Sequence, residues 1–259
     1  MITCKICSSE SDIFFLCKVL DKYNVQYYKC RCCGFVQTEN PYWLKEAYRS
    51  AIASQDIGLL SRNVYYAPIV SSIIKLFFKK DASFLDYGGG YGVFVRFMRD
   101  RGFNFYRYDT YCENMFAKGY EDNDKSNYEL ITSFEVFEHL VDPIVEVQKM
   151  LQKSKNIFFS TELQPKGFMN EKEWWYVMPE TGQHISLYSM ESLKFIAKKF
   201  NLNLYSNGNS FHLLTEKNIP HFVFRLATNR YTLKILNNII KYPDSLLMID
   251  YHKIVSENC

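Results

Sequence analysis

The sequence predicts an α/β fold: a doubly wound, mainly parallel sheet with a small cysteine-rich module ahead of it. Three observations lead there. Six of the eight cysteines lie within the first 33 residues. A glycine-rich turn, Gly88-Gly89-Gly90-Tyr91-Gly92, separates an apolar strand-like run from a helix-like one. From there to about residue 215, strand and helix patterns alternate, as βαβ units on one sheet do.

Composition narrows the class. With 47% hydrophobic and 23% charged side chains in 259 residues, the chain is globular in type and long enough to bury a full core. A net charge of +3 is too slight to argue for nucleic acid or an anionic membrane. The apolar runs, such as Ile13–Leu16, fall far short of the ~20 residues that span a bilayer. No basic segment followed by an apolar stretch opens the chain, so a cytoplasmic protein is expected, and its thiols should stay reduced.

Reduced thiols at regular spacing point to a metal. Cys4-Lys-Ile-Cys7 and Cys30-Arg-Cys-Cys33-Gly34 each place two thiolates on one tight turn, and two such turns complete a tetrahedral Cys4 zinc site. Only Cys30 with Cys33 gives the two-residue gap in the second pair. Four thiolates leave no water position, so the zinc would be structural. The alternative is a set of unrelated thiols, and Cys17 reads as a buried spare. Between the pairs, Ile13–Leu16 and Val25–Lys29 are strand-like, separated by a turn over Asp21–Asn24.

Next, Ala82–Tyr87 reads as a buried strand entering the glycine loop. A helix follows with Val93, Phe94, Phe97 and Met98 on one face and Gly102 as its stop; a second strand, Phe103–Tyr108, runs into Asp109. An acid about 20 positions beyond a glycine loop can hold a ribose by its hydroxyls. Other nucleotide loops do not fit. G-x-x-x-x-G-K-[ST] is absent, and G-x-G-x-x-G fails because its third position is Val93 or Val95. The pattern present is Asp86-x-Gly88-x-Gly90-x-Gly92.

That pattern resembles the first motif of class I S-adenosylmethionine-dependent methyltransferases. The resemblance implies a Rossmann-like, seven-stranded sheet. It also implies that Gly88, Gly90 and Gly92, with Tyr87, let the backbone approach the cofactor. Asp86 would then orient the cofactor's ammonium end and Asp109 would bind its ribose hydroxyls. The segment Tyr128–Leu140, with Glu135-Val136-Phe137-Glu138-His139, looks like the family's fourth strand and its exit, adding Ser133 and Glu135 to the cofactor-binding set. A glycine turn that binds nothing is the bland alternative.

The remaining elements follow in order. Asp142-Pro143 starts a helix with Ile144, Val147 and Leu151 inward. Ile157–Thr161 is the next strand. Ser189 caps a helix with Leu193, Ile196, Ala197 and Phe200 inward. Leu202–Tyr205 and Phe211–Thr215 form a hairpin with an Asn207-Gly208 turn. Phe222–Leu226 and Leu233–Ile240 look like apolar helices, packed on the core or in a homodimer. The resulting domains are a zinc ribbon at 1–40, a linker with leading helices at 41–80, the cofactor-binding domain at 81–215 and a helical extension at 216–259. The third-strand region Gly119–Asn127 is short and polar and names no adenine contact.

Amino-group methyltransferases commonly carry N-P-P-Y after the fourth strand, where this chain has Ser133-Phe134-Glu135-Val136. A hydroxyl or activated-carbon acceptor fits better and needs a general base. His139 and His184 lie at expected strand exits, and imidazole titrates near operating pH. Each also has a structural reading. The loop with Trp174, Trp175 and Tyr176 reads equally as an active-site cover or as core. The Cys4 module ahead of the domain resembles methyltransferases that act on nucleotide-linked sugars or in surface-polysaccharide pathways. Those enzymes usually continue into a further α/β domain, for which the residues after Thr215 are expected to be too few, so O-methylation of a sugar or similar small molecule is the better expectation. Two other classes remain. An RNA methyltransferase would need a basic, aromatic-interleaved surface, whereas Lys75, Lys79, Lys80, Lys198 and Lys199 are scattered. A non-catalytic assembly protein would not need the intact loop and Asp109.

Overall fold

A computed structural model of the chain describes residues 1–49, 56–122, 127–233 and 243–257. Its strands form two sheets. The smaller has the order β1-β2-β3-β4-β9, from β1 (Ile2–Thr3), β2 (Glu10–Val19), β3 (Tyr23–Cys30), β4 (Val36–Thr38) and β9 (Ser186–Leu187). The larger has the order β10-β11-β8-β7-β5-β6. Its members are β5 (Ser83–Tyr87), β6 (Asn104–Tyr108), β7 (Leu130–Ser133), β8 (Asn156–Ser160), β10 (Asn203–Ser206) and β11 (Phe211–Thr215).

The chain divides into two compact units. One comprises Met1–Gln55, Phe134–Lys149 and Phe159–Lys217; the other comprises Asp56–Ser133, Met150–Phe158 and Asn218–Cys259.

In the first unit the cysteine-rich hairpin is longer than its apolar runs suggest. β2 and β3 pair antiparallel from Ser11↔Cys30 to Val19↔Tyr23, with a bulge at Phe14. Leu20 and Asp21 turn the hairpin at φ +53° and +52°, the left-handed region that tight hairpin turns require. Alternation along β2 and β3 puts Phe15, Cys17, Val19, Val25 and Tyr27 on a buried face. Those residues share one core with Trp43, Trp174 and Tyr176. Trp174 is therefore core, and Trp175 is the exposed neighbour at 71%. β9 adds to β4 antiparallel, with Val36↔Leu187 and Gln37↔Ser186. A strand from residue 186 thus completes a sheet begun at residue 2. After β9, Ser189 caps α5 (Met190–Lys199), and Ser192 closes the capping box.

The expected Asn-Gly two-residue turn is not formed. Register runs to Ser206↔His212, and the Asn207 side chain accepts from the amides of Asn209, Ser210 and Phe211 at 2.9, 3.1 and 3.1 Å. One side chain satisfying three amides stabilises a longer loop over the tight turn.

The second unit carries the βαβ core. β5 pairs parallel with β6 from Ser83↔Asn104 to Tyr87↔Tyr108, and with β7 from Phe84↔Leu130 to Asp86↔Thr132. In chain order, α1 is Leu44–Ala47, α2 (Leu59–Phe77) precedes β5, α3 (Val93–Asp100) joins β5 to β6, and α4 (Pro143–Lys153) falls between β7 and β8. Gly102, at φ +82°, ends the α3 segment as read from sequence. Seven strands were expected, and the described residues form six. The seventh position, beside β6, is reduced to a single parallel bridge, Arg107↔Glu121. Gly119–Asn127 lacks the apolar alternation a strand needs, and residues 123–126 lie outside the described residues.

At the C-terminal end, α6 (His221–Ala227) covers one expected helix, while residues 234–240 of the other lie outside the described residues. α7 (Leu247–Glu257) is anchored by Asp250, whose carboxylate takes a bidentate pair of bonds from Arg99 at 2.7 and 2.6 Å and one from Tyr120 at 2.7 Å. No helix of the described residues is long and apolar enough to cross a membrane.

Candidate cofactor loop, cysteine centre and histidine cluster

Parallel strands deliver the glycine loop to the end of the sheet, and polar groups around it hold its shape. The amides of Gly88 and Gly89 both donate to the Tyr108 carbonyl, at 2.8 and 3.1 Å. Gly90 N–H donates to Asp109 Oδ2 at 2.9 Å, while Tyr111 and Cys112 donate to Asp109 Oδ1, each at 2.8 Å. Arg107 completes the arrangement: Nε reaches the Gly90 carbonyl at 2.5 Å and Nη2 the Cys112 carbonyl. Gly92 sits at φ +86°, where a Cβ would lie 2.7 Å from Asn114 Oδ1. Only glycine meets both demands.

Asp86 is 4% exposed and accepts from Thr132 Oγ1 at 2.7 Å. Burial pushes its carboxyl up to about 7; the Thr132 bond opposes that shift and nearby Asp109 adds to it. Such a group is stabilised by a cation brought to it. Tyr87 is buried with its ring 4.7 Å from Tyr108. Ser133 is fully buried, and its hydroxyl has no hydrogen-bond partner among the described residues. Two carboxylates, an orphaned hydroxyl and a turn crowded against side chains fit a cofactor with an ammonium group and a ribose diol. Arg107 and Thr132 were missed from sequence. The available signal was a charge at the buried phase of β6, where Phe105 precedes it two residues earlier.

In the first unit, the sulfurs of Cys4, Cys7, Cys30 and Cys33 all lie within 4.8 Å of one another. Cys4–Cys33 is 3.6 Å and Cys7–Cys30 is 3.4 Å, near the ~3.8 Å edge of a tetrahedron with ~2.3 Å zinc–sulfur bonds. Backbone amides aim at sulfur, from Ile6 to Cys4 and from Cys32 and Cys33 to Cys30, each at 3.4 Å. The residues present therefore fit a structural zinc ion. Cys17 is buried away from them, and burial pushes its thiol up to about 11.

The two histidines come together in the same unit. Their ring centroids are 5.0 Å apart, and the His184 ring lies 4.6 Å from Tyr176. The Ile185 amide donates to the Glu138 carbonyl at 2.9 Å, which ties the two segments. His184 is 7% exposed, and its Nδ1–H donates to the Tyr176 carbonyl at 2.5 Å, leaving Nε2 as the basic nitrogen. His139 Nδ1 is 2.8 Å from the Tyr48 hydroxyl, and burial, then His184, holds His139 well below the usual imidazole range. Glu138 is fully buried beside it, with Oε1 3.9 Å from His139 Nε2. Glu135 adopts φ +55°, and its Oε1 accepts from Ser160 Oγ at 2.7 Å. Tyr48 and Glu138 escaped the sequence reading as partners of the histidines, although Glu138 adjoins His139 in the motif. His212 is structural: its nitrogens meet Ser206 Oγ at 2.9 Å and the Thr161 carbonyl at 3.0 Å.

Comparison with known proteins identifies a family. The sequence pattern described as "Methyltransferase domain" matches residues 61–207, more than half of the chain. The chain belongs to that family. No curated protein matches it in sequence. Among solved structures, the mitomycin 7-O-methyltransferase MmcR is 11% identical at TM-score 0.47, over 68% of this chain and 60% of that one. CalO1, a methyltransferase in calicheamicin biosynthesis in its SAH-bound form, is 12% identical at TM-score 0.44, over 69% and 60%. Magnesium protoporphyrin IX methyltransferase (ChlM) from Synechocystis PCC 6803, with bound SAH, is 12% identical at TM-score 0.45, over 68% and 95%. The chain spans about three fifths of the length of the first two.

Proposed function

We propose that this protein transfers a methyl group from S-adenosylmethionine to a hydroxyl of a small molecule, a sugar or nucleotide-linked sugar being the leading class. The observation that carries the reading is the loop itself: Asp86 buried at the end of β5, with Asp109 bonded to Gly90 nineteen positions later. Asp86 would hold the cofactor's ammonium group, Asp109 its ribose hydroxyls, and Gly88, Gly90 and Gly92 would let the backbone approach. Ser133, Tyr87 and Glu135 complete the proposed cofactor set. Bound there, the cofactor supplies an electrophilic methyl on a sulfonium. The protein's own task is to orient the acceptor and remove its proton.

His184 is the proposed base, with His139 beside it. Its Nδ1–H bond to Tyr176 fixes the tautomer, so that Nε2 accepts the proton. Cys4, Cys7, Cys30 and Cys33 hold a structural zinc that sets the sheet on which β9, two residues beyond His184, is paired. The test is transfer of labelled methyl to a panel of nucleotide sugars by the zinc-loaded chain. His184→Gln should lower kcat by about 10²–10⁴-fold with S-adenosylhomocysteine affinity retained. Equal kcat in wild type and variant would remove His184 from the mechanism.

A further inference from the structure

We propose that Glu138, His139 and His184 form a second metal site, separate from the cysteines, that takes a divalent cation. Each offers a ligand atom, and the three atoms lie within 4.8 Å of one another. Bound ligand atoms at ~2.1 Å from an ion stand about 3–3.5 Å apart, so the set closes on an ion by small side-chain rotations. Two imidazoles and one carboxylate are the donor set of manganese, iron, cobalt or zinc rather than of magnesium or calcium alone. Three protein ligands leave positions open for a further oxygen.

The surroundings carry the second half of the argument. Each imidazole is already held through Nδ1: His184 by the Tyr176 carbonyl at 2.5 Å and His139 by the Tyr48 hydroxyl at 2.8 Å. Outer partners on one ring nitrogen are how proteins aim the other at a metal. The Ile185–Glu138 backbone bond fixes the spacing between the ligand-bearing segments. The Ser186 hydroxyl donates to the Leu140 carbonyl at 2.7 Å, adding a second tie. Glu138 places its carboxyl beside the imidazoles with no solvent exposure, and a cation bound there would offset the cost of ionising it.

A bound ion would take up the Nε2 lone pair of His184, so in the ion-loaded protein His184 is a ligand and the base role proposed above belongs to the ion-free protein. The cation site itself does not rest on methyl transfer.

The experiment titrates the zinc-loaded full chain with Mn²⁺, an ion that thiolates bind poorly, and follows free Mn²⁺ by electron paramagnetic resonance. One Mn²⁺ per chain is expected beyond the cysteine-bound zinc. Affinity should fall at least tenfold in both His139→Gln and His184→Gln, with zinc content unchanged. His139 is the more exposed of the two, so its variant guards against a folding defect. No Mn²⁺ uptake by folded wild type, or uptake unchanged in both variants, overturns the site. S-adenosylhomocysteine titration on the same samples separates the two ideas: Mn²⁺ binding without nucleoside binding leaves the cation site standing and removes methyl transfer.

Discussion

Asp86→Asn should stabilise the cofactor-free protein at alkaline pH and weaken its hold on the cofactor. Burial moves this carboxyl from 3.8 to about 7 in the folded chain. Between those values the folded state keeps a proton that the unfolded chain has released. Stability from this group therefore falls as pH rises through the window, and the full cost is present above pH 7. About three pKa units at ~1.4 kcal/mol each give about 4 kcal/mol. Asparagine carries no charge in either state and keeps an oxygen for Thr132 Oγ1, while burying its amide costs ~1–2 kcal/mol. The variant should gain about 2–3 kcal/mol at pH 8 and almost nothing at pH 5, read by urea unfolding of zinc-loaded samples. S-adenosylhomocysteine should bind about 10- to 100-fold more weakly, for the loss of a charge-assisted bond. A difference that is the same at both pH values, or a variant less stable at pH 8, would refute the reasoning.

Two further outcomes follow from the structure. Cys33→Ser should lose stoichiometric zinc and the order of the five-stranded sheet, because structural zinc contributes ~10–16 kcal/mol in small sites; metal analysis with circular dichroism reads both. Asp250→Asn leaves Arg99 buried without its carboxylate and should cost about 3–5 kcal/mol in unfolding free energy.

Local geometry was legible in the sequence. Cys4, Cys7, Cys30 and Cys33 meet where their spacing predicts, and the glycine loop sits between strand and helix with Asp109 bonded to it. What stayed hidden depends on distant pairing. Nothing in Ser186-Leu187 announces that it extends the cysteine-rich sheet, because strand partners are chosen by the whole fold. The Trp174–Trp175 pair could not be split into core and surface without that sheet, whose residues bury Trp174. Asn207-Gly208 suggests a tight turn, yet the Asn207 side chain gathers three amides into a longer loop. Arg107 reads as a surface charge until β6 places it on a buried face beneath the glycine loop.

The most direct test of the account is calorimetric titration of the folded, zinc-loaded chain with S-adenosylhomocysteine, wild type against Asp109→Ala. Micromolar binding that falls at least tenfold in the variant is the predicted result. No binding by the folded wild-type protein would contradict the cofactor site and, with it, the methyl-transfer reading.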